Sequence, residues 1–169
     1  MARPAEAGAT GTVAAVTADL NEIQSRIRSG RTEGYFYVAL LGLRTYDALT
    51  LYRHLRKGLA YSAVGRFQRN TSLSGAVISR LIQTPTRTLT RRKTEGKLSP
   101  EESDRLVRAA RVFGRAMELF EGDADAARLW LTAPQPALGG LIPLELAGTE
   151  VGATEVEGLV GRLEYGIPS

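Results

Sequence analysis

At 169 residues, 43% of them hydrophobic, the chain has room for one domain or two small ones and enough apolar side chains for a core. It contains no cysteine and one histidine, His54, which excludes disulfides, thiolate metal sites and cysteine nucleophiles and fits a reducing compartment. The net charge of +4 is unevenly spread: residues 53–97 carry eleven Lys and Arg against Glu95 alone, whereas residues 118–169 carry nine Asp and Glu against Arg128 and Arg162. Such a basic block calls for an anionic partner such as nucleic acid, or is a solvated charged face.

Along the chain, residues 1–12 are rich in Ala, Gly, Thr and Pro and predict a frayed start. Val13, Val16, Leu20, Ile23 and Ile27 then recur at steps of three and four, predicting an amphipathic helix that ends near "RSGR". The longest apolar run, "YFYVALLGL", falls well short of the roughly 20 residues of a membrane helix, and the N-terminus lacks a signal-peptide core. The expectation is a soluble, cytoplasmic protein with no membrane partner. Leu49, Tyr52 and Leu55 predict one face of a helix stopped by Gly58, and Leu59, Val64 and Phe67 a second short helix.

Three closely spaced helices follow. "SLSGAVISRLIQ" has Leu73, Val77, Ile78, Leu81 and Ile82 on its apolar face; "TPTRTLTRRK" comes after a very short turn; "SPEESDRLVRAARVFGRAMELFEG" carries a long stripe of Leu106, Val107, Ala110, Phe113, Met117 and Phe120. "DADAARLWL" reads as another short helix, "TAPQPALGGLIP" as a break, and "TEVEGLVGRLEYG" as the last helix. No strand alternation occurs, so the expected fold is all-α.

Two of these helices start with opposite charge. The first turn of a helix exposes unpaired N–H groups and the positive end of the macrodipole, so acids stabilise it. "SPEE" obeys: Ser99 as cap, Pro100 at the first helical position, Glu101 beside the dipole and Glu102 completing a capping box. "TPTR" offers Thr84 and Pro85 as its cap and proline but places Arg87 where the acid belongs, followed by Arg91, Arg92 and Lys93. Phosphate would turn that arrangement into an asset, since arginines, threonine hydroxyls and first-turn N–H groups all donate to it.

The spacing fits a helix-turn-helix, with Ile78 and Ile82 anchoring the first helix, Ser79 at the small position and Leu89 anchoring the second. With Leu89 inward, Thr86, Arg87, Thr90 and Arg91 turn outward, and Arg92 and Lys93 flank the far end; these six are the expected DNA-binding residues. Gln83 stands where glycine is usual in the turn, and Thr84 where an apolar residue is usual.

The order "LSGAVISRLIQTPTRTLTRRKTEGKLSPEESDRLVRAARVF", then "ARLWLTAPQPALGGLIPLELAGT", then "EVEGLVGRLEYG" resembles the Xre/ParS/MbcA antitoxins, partners of RES-domain toxins, over roughly residues 42–166. The resemblance implies an Xre/Cro-like helix-turn-helix domain that binds the operator of its own operon, and a small helical C-terminal domain that silences a toxin which degrades NAD or transfers ADP-ribose. It also implies the toxin-contacting positions Arg162, Glu164, Tyr165 and Gly166, with Ile167, Pro168 and Ser169 as a tail inferred from location. The expected division is an N-terminal extension over 1–44, the helix-turn-helix domain over 45–121 and the toxin-binding domain over 122–169, in a homodimeric autorepressor that forms a hetero-oligomer with its toxin. The alternative is a stand-alone regulator whose C-terminal domain dimerises or senses a ligand.

The remaining residues do not form a catalytic constellation. His54 has no acid or second histidine placed beside it, Trp130 reads as core beneath the "PALGG" loop, and Gly139 and Gly140 lack the preceding strand of a phosphate loop. No His-partnered elbow supports a serine nucleophile. The chain is therefore expected to be no enzyme, with no cofactor or metal.

Overall fold

The computed structural model describes residues 7–168, with side chains described from Ala18 onward. Among the described residues nine α-helices follow one another: α1 (Ala7–Arg28), α2 (Ala48–Lys57), α3 (Ser62–Thr71), α4 (Gly75–Leu81), α5 (Thr86–Glu95), α6 (Pro100–Leu119), α7 (Ala124–Leu131), α8 (Pro143–Leu146) and α9 (Glu150–Glu164). Short 3-10 helices occupy Phe36–Leu41 and Pro136–Leu138. Among the described residues there are no strands, only the isolated bridges Ala60–Lys97 and Gln135–Leu141, so the fold is all-α as expected.

The centre of the molecule is α6. Its predicted stripe is realised, with Leu106, Ala110, Phe113 and Met117 fully buried and Phe67 of α3 edge-on to Phe113 at 6.3 Å. Against α6 lies the 3-10 helix Phe36–Leu41, all six residues of which are buried. The two backbones approach closely at Gly114, where a β-carbon would stand 2.6 Å from Tyr37 Cβ. The run "FYVALL" is therefore the keystone of the core, buried along its whole length.

Helix α1 packs on this 3-10 helix and on α3, burying Ile23 and partly burying Leu20 and Ile27. It begins at Ala7, which corrects the expectation of a frayed start for residues 7–12. Residues 1–6 lie outside the described ones. The helix is fastened by Asp19, which is fully buried and accepts from Arg66 Nε at 2.6 Å, Arg44 Nη2 at 3.0 Å and Asn70 Nδ2 at 2.9 Å. Burial alone would push this carboxyl up; the hydrogen bonds from Arg66, Asn70 and Arg44 outweigh it and hold the carboxyl below its ordinary value. Near the other end, Tyr46 donates to Glu22 at 2.8 Å while the Arg26 guanidinium stacks on the Tyr46 ring.

The inward face of α2 is Leu51 with Leu55, not Leu49, Tyr52 and Leu55; Leu49 and Tyr52 are exposed. Both sets have helical spacing and share Leu55, so periodicity alone cannot choose between them, and the choice falls to packing against α6. Gly58 does end the helix as predicted.

At the C-terminal side, α7 packs on α6, with Trp130 half-buried beside Phe120. Gly139 and Gly140 take φ of 67° and 80° in the tight turn closed by the Gln135–Leu141 bridge, so they are turn glycines as read. Helices α8 and α9 meet at Gly152, where a β-carbon would lie 1.9 Å from the Leu146 carbonyl oxygen. A single hydrophobic cluster runs from Ile23 in α1 to Val156 in α9. No helix among the described residues is long and apolar enough to cross a membrane.

Candidate nucleic-acid interface and C-terminal surface

Helices α4 and α5 form the expected helix-turn-helix. Ser74 caps α4 by accepting from Val77 N, and Ile78, Leu81 and Ile82 are buried. The chain reverses over residues 82–85. Gln83 adopts φ of 52°, the left-handed conformation for which glycine is the usual choice, so the turn keeps its shape at some conformational cost. Ser79 then donates its hydroxyl to the Thr84 carbonyl, tying the small position of the first helix to the end of the turn. Thr84 does not cap α5: its hydroxyl donates back to Ile82 O at 3.1 Å, its side chain is buried, and Pro85 occupies the cap position with no side-chain bond. The threonine that replaces the usual apolar residue satisfies its hydroxyl locally, which is how a polar side chain is accommodated there.

The contrast in first turns survives in three dimensions. The capping box of α6 is complete, with Ser99 Oγ accepting from Glu102 N at 3.1 Å and Glu102 Oε2 accepting from Ser99 N at 2.8 Å. The Glu101 carboxyl is held below its ordinary value first by its own backbone N–H and then by the Ser99 hydroxyl. Helix α5 has no acid and no side-chain cap in its first turn, so its leading N–H groups are left for an external acceptor or solvent.

On α5, Leu89 is the one buried residue. Thr86, Arg87, Thr90, Arg91 and Lys93 are exposed, while Arg92 is partly buried and turned to the scaffold, its Nε 2.9 Å from Glu102 Oε2 and its Nη1 3.0 Å from Glu95 Oε2. Of the eleven basic residues counted over 53–97, Arg53, Arg56, Lys57, Arg69, Arg80, Arg87, Arg91, Lys93 and Lys97 are exposed. The other two, Arg66 and Arg92, are the ones joined to carboxylates deep in the scaffold. The basic block thus coats the helix-turn-helix half, a distribution suited to a polyanion.

The acidic block is less free than its sequence implies. Arg108 and Arg111, three apart on α6, meet acids of α9: Arg108 Nε and Arg111 Nη2 reach Glu150 at 3.0 and 2.6 Å, and Arg111 Nε reaches Glu157 at 2.8 Å, while Arg115 pairs with Glu118 on α6 itself at 2.7 Å. The Arg111 hydrogen bond, countered in part by burial, leads in holding the Glu150 carboxyl below its ordinary value. A further cross-link joins the turn of the helix-turn-helix to the loop before α9: Gln83 Nε2 donates to Gly148 O at 2.8 Å, and Arg108 Nη1 donates to the same oxygen at 3.3 Å. The register of these arginines with Glu150 and Glu157, seven apart on α9, was the available signal in the sequence; the Gln83 contact had none.

At the far end, α9 stops in a left-handed turn. Gly166 takes φ of 63°, its N–H donates to Leu163 O at 3.2 Å and the Ile167 N–H to Arg162 O at 2.9 Å, a Schellman closure that fixes where the chain leaves the helix. Leu163, Tyr165 and Ile167 are exposed, Tyr165 at 82%, and Pro168 and Glu164 are exposed beside them, with Arg162 half-buried on the last turn. Ser169 lies outside the described residues. An apolar projection of this kind on a fixed turn is what a partner's surface would cover.

Two family models divide the chain along these lines. Residues 50–111 match the antitoxin Xre-like helix-turn-helix domain, and residues 115–166 match the antitoxin Xre/MbcA/ParS C-terminal toxin-binding domain. An Xre antitoxin of Yersinia enterocolitica is 38% identical over 75% of this chain and 86% of its own length. The chain belongs to the Xre antitoxin family. Another Xre antitoxin, from Photorhabdus laumondii, is 36% identical over 68% of this chain and 78% of its own. A Sphingobium protein named Prs ADP-ribosylating antitoxin is 25% identical over 87% of this chain and 98% of its own. As an Xre antitoxin the chain is a regulator rather than an enzyme: a helix-turn-helix repressor half and a toxin-binding half share one hydrophobic core. Among the described residues no group of His, Cys, Asp or Glu is placed to hold a metal ion.

Proposed function

We propose that this antitoxin neutralises a RES-domain toxin that degrades NAD or transfers ADP-ribose, and represses the operon encoding both proteins. Residues 45–121 bind the operator through Thr86, Arg87, Thr90, Arg91 and Lys93, residues 122–169 hold the toxin, and residues 1–44 brace the whole through the Asp19 clamp. Homodimers pair two reading helices on two half-sites. The observation that carries the toxin assignment is the exposed Leu163, Tyr165 and Ile167 on the Schellman turn, beside Arg162, Glu164, Gly166 and Pro168. The end of α9 presents an anchored apolar wedge of low conformational cost, suited to a cleft. The Sphingobium relative, a Prs ADP-ribosylating antitoxin, supports the choice of toxin chemistry.

Co-expression with the neighbouring toxin gene, with and without residues 163–169, tests the reading. The truncated antitoxin is expected to co-purify with the toxin through the rest of its C-terminal half yet fail to restore growth or cellular NAD. Full protection by the truncated chain would remove the tail from the mechanism, and a neighbour whose toxicity leaves NAD and ADP-ribosylation unchanged would remove the RES assignment.

A further inference from the structure

Helix α5 is poorly anchored for a helix that must present four side chains in one register. It packs chiefly on α4, and a single buried knob, Leu89, fixes its depth while leaving rotation about its axis weakly determined. One turn further on, Arg92 supplies the missing constraint. Its Nε contacts both oxygens of Glu102, at 2.9 and 3.2 Å, and Glu102 cannot follow it: that carboxylate is 8% exposed and is simultaneously pinned to Ser99 N as half of the α6 capping box. Glu95 takes Arg92 Nη1 at 3.0 Å, so the guanidinium faces two carboxylates and its attraction for a phosphate is cancelled locally. Arg91, 64% exposed and only 3.5 Å from Glu95, has no such tether.

We infer that Arg92 is a positioning residue, whose ion pair with Glu102 sets the rotation of α5 so that Thr86, Arg87, Thr90 and Arg91 face the groove, and that Arg92 itself contacts no phosphate. This rests on operator reading by α5 and withdraws Arg92 from the group of DNA-contacting residues. A planar guanidinium is required, because it reaches Glu102 through Nε and Glu95 through Nη1 at once in a fixed geometry, which the single nitrogen of an ammonium does not reproduce.

The test uses the full chain, a duplex selected by that chain from a random-sequence pool, and a scrambled duplex of equal length, with anisotropy titrations across a salt series. Arg92→Gln, Arg92→Lys and Glu102→Gln are compared, each checked for helical content and for a melting point well above the assay temperature. Glutamine at 102 keeps the capping acceptor and removes the charge. Positioning predicts that all three lower the ratio of selected to scrambled affinity by about tenfold or more, that the slope of log affinity on log salt changes by less than about 0.3, and that combining Arg92→Gln with Glu102→Gln adds little. A phosphate contact predicts the reverse pattern: Arg92→Gln weakens both duplexes together and flattens the slope by about 0.9, Arg92→Lys is nearly silent, and Glu102→Gln, by freeing the arginine, tightens binding. That pattern, or unchanged ratios with only a lower melting point, overturns the inference. If the unmodified chain itself fails to distinguish the duplexes, operator reading by α5 fails instead.

Discussion

Asp19→Ala should be among the most damaging single changes outside the central core, and its size can be worked out from the clamp. The substitution takes one carboxylate acceptor from Arg66, Arg44 and Asn70; the two arginine side chains are 26% and 42% exposed and can turn to water, while Asn70 keeps the Leu40 carbonyl at 2.9 Å. Breaking a fully buried ion pair costs about 3–5 kcal/mol; solvation of the two arginines reduces the expectation to about 2–3 kcal/mol. For a chain of this length that corresponds to a fall of roughly 5–10 °C in melting temperature. Asp19→Asn, which keeps one acceptor oxygen, should lose about half as much. Urea denaturation at constant slope measures both. The acid dependence supplies an independent check. Because the folded carboxyl is held below its unfolded value of about 3.9, its contribution is complete above that pH and vanishes as pH falls through the lower folded value. The stability gap between the unmodified chain and Asp19→Asn should therefore close in acid. A loss under about 0.5 kcal/mol at neutral pH, or a gap that persists unchanged to about pH 2, would refute the clamp as the fastening of α1.

Further outcomes follow from the same geometry. Arg87→Ala and Arg91→Ala should each weaken binding to a selected duplex by about 1–3 kcal/mol and relax its sequence preference, read by anisotropy against scrambled DNA; equal losses on both duplexes would exclude base readout. Gly152→Ala forces a methyl into the Leu146 carbonyl and should destabilise by about 2 kcal/mol or more, seen as a lower urea midpoint, unless α8 can shift. Ser99→Ala should cost about 1 kcal/mol through loss of the α6 cap, whereas Thr84→Val, at a site where the hydroxyl caps nothing, should cost less than Ser99→Ala in the same assay.

The all-α fold, the helix-turn-helix and the capping box were legible because each is written in local chemistry: period, punctuation and first-turn charge. Leu89 inward with Thr86, Arg87, Thr90 and Arg91 outward follows from one anchor and helical geometry. What escaped was decided by long-range partners. The inward face of α2 depended on α6. Arg92 and Arg91 are neighbours of the same type, and only the position of Glu102 across the interface separates them. The run "YFYVALLGL" betrayed its hydrophobicity but not that it would become a 3-10 helix threaded beside Gly114, and a single aspartate in α1 gave no sign that it would collect donors from three residues 25 to 51 positions away.

The arginine ladder on α6 bears on how such antitoxins can be recombined. The helix-turn-helix match ends at residue 111 and the toxin-binding match begins at 115, so the natural cut between modules falls inside α6 among buried residues. Arg108 and Arg111 would travel with one half, while Glu150 and Glu157 would travel with the other. A chimera that joins this repressor half to a relative's toxin-binding half must therefore carry matching acids on its last helix. Exchange of toxin specificity is thereby constrained by charge register as well as by the toxin's own surface.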